Sequence, residues 1–120
     1  MTSQEIERGN RMTRTEIGLG NKLIREFMNP DCYKMPRAKP YNSSWDLLML
    51  VVEKIEATQD DYHGYFAVII SSNGCVIQGT KLRTDPENYH PAYFNQVYGE
   101  TKLKATYAAV LQFLEWYNSH

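Results

Sequence analysis

The chain has 120 residues, enough for one domain, with 42% hydrophobic and 22% charged residues and a formal net charge of -1. That balance excludes a strongly basic nucleic-acid protein and a polyacidic mimic of DNA. Two cysteines exclude a disulfide-dense secreted scaffold, while a 12% aromatic content that includes nine tyrosines supplies a core.

Charge is spread unevenly. Residues 1–40 carry eight Lys/Arg and five acids, a net of +3; residues 41–120 carry five and nine, a net of -4. The two parts can attract one another within a molecule or between copies. Residues 1–14 are polar, lack a sustained apolar period, and read as an N-terminal tail ahead of a single domain over 15–120. They hold no apolar stretch of the signal-peptide kind. The longest apolar run, Leu47 to Val52, falls far short of the roughly 20 residues that a membrane span needs. A cytoplasmic protein with reduced Cys32 and Cys75 is expected, with no membrane partner.

The spacing of Leu23, Ile24, Phe27 and Met28 predicts a first helix from Thr15 to Met28. Thr13 or Thr15 caps it, and Asn29-Pro30 stops it, because the residue before a proline avoids the helical region. Gly18 and Gly20 each weaken its first turns by about 1 kcal/mol relative to Ala. Residues 29–42 contain Pro30, Pro36 and Pro40 and form an extended loop, long for a compact domain. Its Lys34, Arg37 and Lys39 are the candidate anion or ligand residues. The second helix is capped by Ser43 or Ser44 and ends near Ala57, before the acidic turn Gln59-Asp60-Asp61. Trp45, Leu48, Met49, Val52 and Ile55 make a stripe that Leu47, Leu50 and Val51 widen, which predicts cover on more than one side.

A β-hairpin follows. Tyr65–Ser71 and Cys75–Lys81 are its strands, and Asn73-Gly74 is the type I′ turn signal between them. A two-residue turn at that point sets Ile70 opposite Ile77 and Phe66 opposite Lys81. Alternation then puts Phe66, Val68, Ile70, Cys75 and Ile77 on one face, assigned to the core. Ala67, Ile69, Val76, Gln78 and Thr80 make the other face, which is half apolar and suits a second cover. An isolated hairpin is marginal in water, so a third strand is expected near Ala92 to Val97. The surrounding segment is densely aromatic. Tyr89, Tyr93, Phe94 and Tyr98 are the candidate partner-binding residues, since aromatic side chains dominate the energetics of interfaces. The last helix runs from Glu100 to Trp116, started by Thr101 or Gly99, with the stripe Leu103, Tyr107, Val110, Leu111 and Leu114. Ala105, Ala108 and Ala109 allow a close neighbour.

Chemistry-bearing motifs are sparse. There is no CxxC, HExxH or EF-hand loop, and His63, His90 and His120 sit in separate contexts. Asp60, Asp61 and His63 read as a solvated acidic turn rather than a metal site. Cys75, on the core face, reads as an inert buried thiol, and Cys32 lies in a loop near Lys34. No serine occupies a GxSxG elbow. Gly18-Leu19-Gly20-Asn21-Lys22 lacks the Walker spacing and the strand that should precede it. A nucleic-acid surface needs a basic stripe with interleaved aromatics, and the hairpin offers only Lys81 and Arg83. No metal or cofactor is expected.

Three blocks carry a resemblance: NKLIREFM (Asn21 to Met28), YNSSWDLLMLVVEKIE (Tyr41 to Glu56) and TKLKATYAAVLQFLEWYN (Thr101 to Asn118). Together they resemble a family of small phage and mobile-element proteins of Bacteroides-type bacteria. Leu47 stands where that family often has Trp, and Leu50 where it often has Pro. The layout is also similar to the phage ABA-sandwich domain, in which helices, a small antiparallel sheet and a further helix follow one another. The resemblance implies a setting, a bacterial host cytoplasm, and brings no catalytic residues with it.

The expected fold is α+β, of order α-α-β-β-(β)-α, with the second and last helices on the face that carries Phe66, Val68, Ile70 and Ile77. The expected function is that of a non-enzymatic accessory protein of phage or mobile-element origin. It would bind a host or phage protein, as a homo-oligomer. Three alternatives stand beside it. A small-ligand protein would hold a nucleotide-type anion with Lys34, Arg37 and Lys39. An enzyme would need His63 or His90 beside a carboxylate in a cleft. A nucleic-acid accessory protein would show steeply salt-dependent binding.

Overall fold

Hydroxyl side chains start the three helices of the described residues. Thr13 accepts from the Glu16 backbone N–H, and Glu16 reaches back to the Thr13 N–H, a complete capping box that opens α1 (Arg14–Met28). Ser44 accepts from the Leu47 N–H at the head of α2 (Trp45–Ala57). Thr101 does the same for Lys104 at the head of α3 (Lys102–Asn118). The computed structural model describes residues 12–29, 39–60, 62–80 and 93–119. Residues 1–11 of the predicted 1–14 tail, Cys32, Lys34 and Arg37 of the proline-rich loop, and Tyr89 and His90 lie outside the described residues, while Thr13 and Arg14 of that tail cap and open α1.

Between α2 and α3 runs a four-stranded antiparallel sheet in the order β1-β2-β3-β4: β1 (Gln59–Asp60), β2 (Gly64–Ile70), β3 (Gly74–Gly79) and β4 (Phe94–Tyr98). The class is the α+β one expected from the sequence, with one strand more. That strand, β1, is only two residues long. It pairs Gln59 with Tyr65 and Asp60 with Gly64, where the predicted acidic turn was placed. The turn itself closes on Gly64, the one described residue with a positive φ (70°).

The β2–β3 register differs from the predicted one by two residues. Val68 lies opposite Ile77, Ile70 opposite Cys75 and Phe66 opposite Gly79. Ser71 and Gly74 close the turn through the Ser71 N–H and the Gly74 carbonyl at 2.9 Å, so Ser72-Asn73 form its tip. Gly74 is a strand residue, paired with Tyr98 of β4. A Cβ there would stand 3.3 Å from Ser71 Oγ and 3.4 Å from the Val97 carbonyl oxygen. Packing against β4 thus claims the glycine that the turn signal assigned to the loop.

A two-residue slip leaves side-chain parity untouched. Phe66, Cys75 and Ile77 are buried on the predicted face, joined by Val97 of β4. α2 packs over β2, α3 over β3 and β4, and α1 over α3. Ile24, Leu48, Val51, Ile55, Val110, Phe113 and Leu114 fill the core with no exposed area. Each such side chain contributes about 1.5–3 kcal/mol by leaving water. α3 is buried around most of its girth, its three alanines included, whereas α2 leaves Trp45 and Leu50 exposed and is covered less widely than its composition predicted. A polar chain locks α1 to its neighbours: Tyr107 Oη donates to Asn21 Oδ1 (2.9 Å), with the Ile17 carbonyl 3.1 Å away, and Asn21 Nδ2 donates to Asn42 Oδ1 (3.0 Å).

Candidate functional site

On the side of the sheet away from the helices, its open face, no described element packs. β2 presents Tyr65, Ala67 and Ile69 there, β3 presents Val76 and Gln78, and β4 presents Phe94, Gln96 and Tyr98. The register sets Ile69 beside Val76 and Val76 beside Gln96, with Phe94 opposite Gln78 and Tyr98 opposite Gly74. Tyr65, Ile69 and Phe94 are each more than half exposed, at 54%, 51% and 56%. None of these side chains carries a charge. A solvated face of an antiparallel sheet ordinarily alternates to polar and charged residues. A face that instead combines aromatics, aliphatics and amides without charge has the composition of the centre of a protein interface.

Two of the four candidate partner-binding residues, Phe94 and Tyr98, fall on this face, Tyr98 half-buried. Tyr93 does not. One residue before β4, it turns inward and is 9% exposed. Its ring lies 4.3 Å from that of Trp116 and meets Phe66 and Phe113 edge-on. Burial pushes its hydroxyl up to about 12, softened by a hydrogen bond with Asn95. Tyr93 is a core residue, and strand alternation is the reason. Tyr65 and Ile69 complete the face. The aromatic density of 89–98 carries no sign of them, whereas the half-apolar second face of the hairpin points to Ile69.

Lys39 lines a cleft of about 190 Å³ with Arg25, Met28, Asn29, Tyr41, Leu47 and Leu50. This is smaller than the roughly 300–1,000 Å³ of ordinary ligand pockets. It also sits at the C-terminal end of α1, where the helix dipole presents its negative pole and disfavours an anion. The cations there serve the helix: Arg25 lies in its last turn, and Lys54 Nζ donates to the Phe27 carbonyl and lies 4.7 Å from the Phe27 ring centroid. A second cleft, between α1 and α3, is lined by Met12, Leu19, Leu23 and Leu111 with Glu16 and Glu115 at its rim.

His63 does lie beside a carboxylate. Its Nδ1 is 2.8 Å from Asp60 Oδ2. Asp60 also accepts from the backbone N–H groups of Tyr62 and His63, which shapes the β1–β2 turn. Slight burial acts to raise the Asp60 carboxyl, but these hydrogen bonds and the charge of His63 outweigh it and hold it below its ordinary range. The imidazole stacks on Phe66 and meets Trp116 edge-on at 4.9 Å, closing the end of the core. Neither of the two clefts above includes it. Cys75 is buried, and burial raises its thiol to about 11, softened by Thr106, so it is held as the neutral thiol. Among the described residues no three His, Cys, Asp or Glu side chains gather into a metal site, and no helix is long and apolar enough to cross a membrane.

No family model, curated protein or solved structure matches the chain.

Proposed function

We propose that the protein acts by binding another protein through the open face of its sheet, as a non-enzymatic accessory factor of the phage or mobile-element kind that its three sequence blocks resemble. The observation that carries the reading is the complete lack of charge across β2, β3 and β4 on that face, together with the exposure of Tyr65, Ile69 and Phe94. Removing such side chains from water is what drives association, and like charges that would oppose docking are missing. The small-ligand reading receives less support, because Lys39 sits at a small cleft beside a helix C-terminus.

The test is site-specific photo-crosslinking in a bacterial host. A photoreactive residue in place of Ile69 should yield a discrete protein adduct. The same residue in place of Glu53, on the exposed side of α2, should not. Equal labelling from both positions, or none from Ile69, would refute the reading.

A further inference from the structure

β4 is the last strand of the sheet among the described residues, and its backbone shows which of its groups are left over. The Gly79 N–H donates to the Tyr93 carbonyl at 2.9 Å, and the Gly99 N–H to the Asn73 carbonyl at 2.8 Å. Antiparallel ladders alternate, so Tyr93, Asn95, Val97 and Gly99 turn their backbone groups toward β3. Phe94, Gln96 and Tyr98 turn theirs outward, and no described residue pairs with them.

We propose that this edge pairs antiparallel with β4 of a second copy of the chain, with Gln96 on the twofold axis. In that register Phe94 lies opposite the partner's Tyr98, Gln96 opposite itself, and Tyr98 opposite the partner's Phe94. Every pair joins two outward-facing residues, and all three outward residues are used; a shift by two positions either way loses one of the three pairs. The same pairing sets an aromatic ring against an aromatic ring twice, both times on the open face, where such cross-strand contacts stabilise a sheet. Strand edges that must stay single carry lysine, proline, a bulge or an inward charge. The β4 sequence, Phe-Asn-Gln-Val-Tyr, contains no Lys, Pro or charged residue, and each of its residues has its own partner on β3, without a bulge. None of the three pairs contains a charged residue, and a net charge of -1 leaves two copies little long-range repulsion. An edge that matches itself in parity, side chains and charge specifies an isologous dimer.

This inference rests on backbone groups at the edge, whereas the reading above rests on side chains of the face, so the Ile69 adduct and the experiment below report on them separately. The test uses the full chain carrying Cys32→Ser, Cys75 being buried. Native mass spectrometry at about 100 µM should give a dimer. Adding Gln96→Cys should produce a disulfide-linked dimer on mild oxidation, because facing residues of a hydrogen-bonded pair have Cα atoms about 5.5 Å apart, within disulfide range. Phe94→Cys or Tyr98→Cys alone should not crosslink, since each then lies about 13 Å along the strand from its own copy, while a mixture of the two should. Gln96→Pro removes an outward N–H without touching the β3 ladder and should weaken dimerisation at least tenfold with an unchanged far-UV spectrum. If that variant fails to fold, Gln96→Lys serves instead: it should be monomeric alone and should regain the dimer when mixed with Gln96→Glu. A monomer at about 100 µM overturns the proposal. So does a dimer that Gln96→Cys does not lock and that Gln96→Lys leaves intact.

Discussion

Gly18→Ala and Gly20→Ala, two residues apart on α1, are expected to change stability in opposite directions. In a solvated helix each substitution is worth about 1 kcal/mol in favour of alanine. A Cβ at Gly18 meets nothing within 4 Å, so the whole gain should appear. A Cβ at Gly20 would fall 2.5 Å from Tyr107 Oη and 2.8 Å from Leu111 Cδ1. Tyr107 Oη is the far end of a side chain, but it is not free to swing away. It is held by Asn21 and the Ile17 carbonyl, and Asn21 is held in turn by Asn42. Displacing it forfeits a hydrogen bond worth about 1 kcal/mol net, and crowding Leu111 adds about 1–3 kcal/mol. After the helix gain is subtracted, Gly20→Ala should destabilise by about 2 kcal/mol. Urea unfolding followed by circular dichroism measures both, with unchanged m-values as the check on two-state behaviour. Tyr107→Phe removes the obstructing oxygen, so in that background Gly20→Ala should be at least 1 kcal/mol more favourable than in the parent. Equal stabilisation by both glycine substitutions, or a double-mutant cycle with no coupling, would refute the packing argument.

Alkaline stability should fall early. Burial raises Cys75 to about 11 and both Tyr93 and Tyr107 to about 12, above their values in the unfolded chain. Their contribution is whole below about pH 9 and is lost as pH rises through the folded values, with Cys75 alone carrying about 2–3 kcal/mol; a urea midpoint that stays flat between about pH 8 and 11 would contradict this. Asp60 has the opposite sign: its carboxyl is lowered, so its contribution is present at neutral pH and disappears as pH falls through the folded value. Because Asp60 is well exposed, Asp60→Asn should remove under about 1 kcal/mol at pH 7 and nothing once the parent carboxyl is protonated, measured by the same unfolding curves. Thr106 is fully buried, and its hydroxyl has no conventional hydrogen-bond partner beyond its contact with the Cys75 thiol. Thr106→Val should therefore raise stability by about 1 kcal/mol and raise the Cys75 thiol further, readable by thiol titration; a loss of stability would show that the hydroxyl is well satisfied.

The elements with local signals were legible in the sequence. Thr13, Ser44 and Thr101 were each among the expected helix caps, and each proves to accept the hydrogen bond that starts its helix. The strand at Phe94–Tyr98 falls within reach of the one expected near Ala92 to Val97 because a two-stranded hairpin needs a neighbour. β1 was not legible: two residues hold no period, and the strand exists because the Asp60 side chain and Gly64 shape a turn that returns the chain onto itself. The turn at Ser72-Asn73 was misplaced because Gly74 is claimed by a third strand, a demand that comes from residues twenty or so positions away. The same distance effect explains Gly20, which reads as a weak point of α1 and serves as the seat for Tyr107.

The candidate surface survived that misplaced turn for a reason of symmetry. Side chains on a strand alternate with a period of two, so a slip of two residues changes every partner and no face. Ile69 and Val76 therefore remain on the side opposite Phe66 and Ile77, whichever register is assumed. A slip of one would have put Ile69 and Ile77 on the same face, so that one of the two sets of apolar residues lost its side. On β4, the same alternation that sends Tyr93 into the aromatic core sends Phe94, Gln96 and Tyr98 to the open face. Where the ladder closes against β3 through the odd-numbered residues, it also leaves the backbone groups of these even-numbered ones at the edge. Face and edge are thus consequences of one parity. Gln96→Pro leaves that parity untouched, so it should remove the dimer seen by native mass spectrometry and leave the Ile69 adduct in place, whereas loss of both would show that face and edge are not separable.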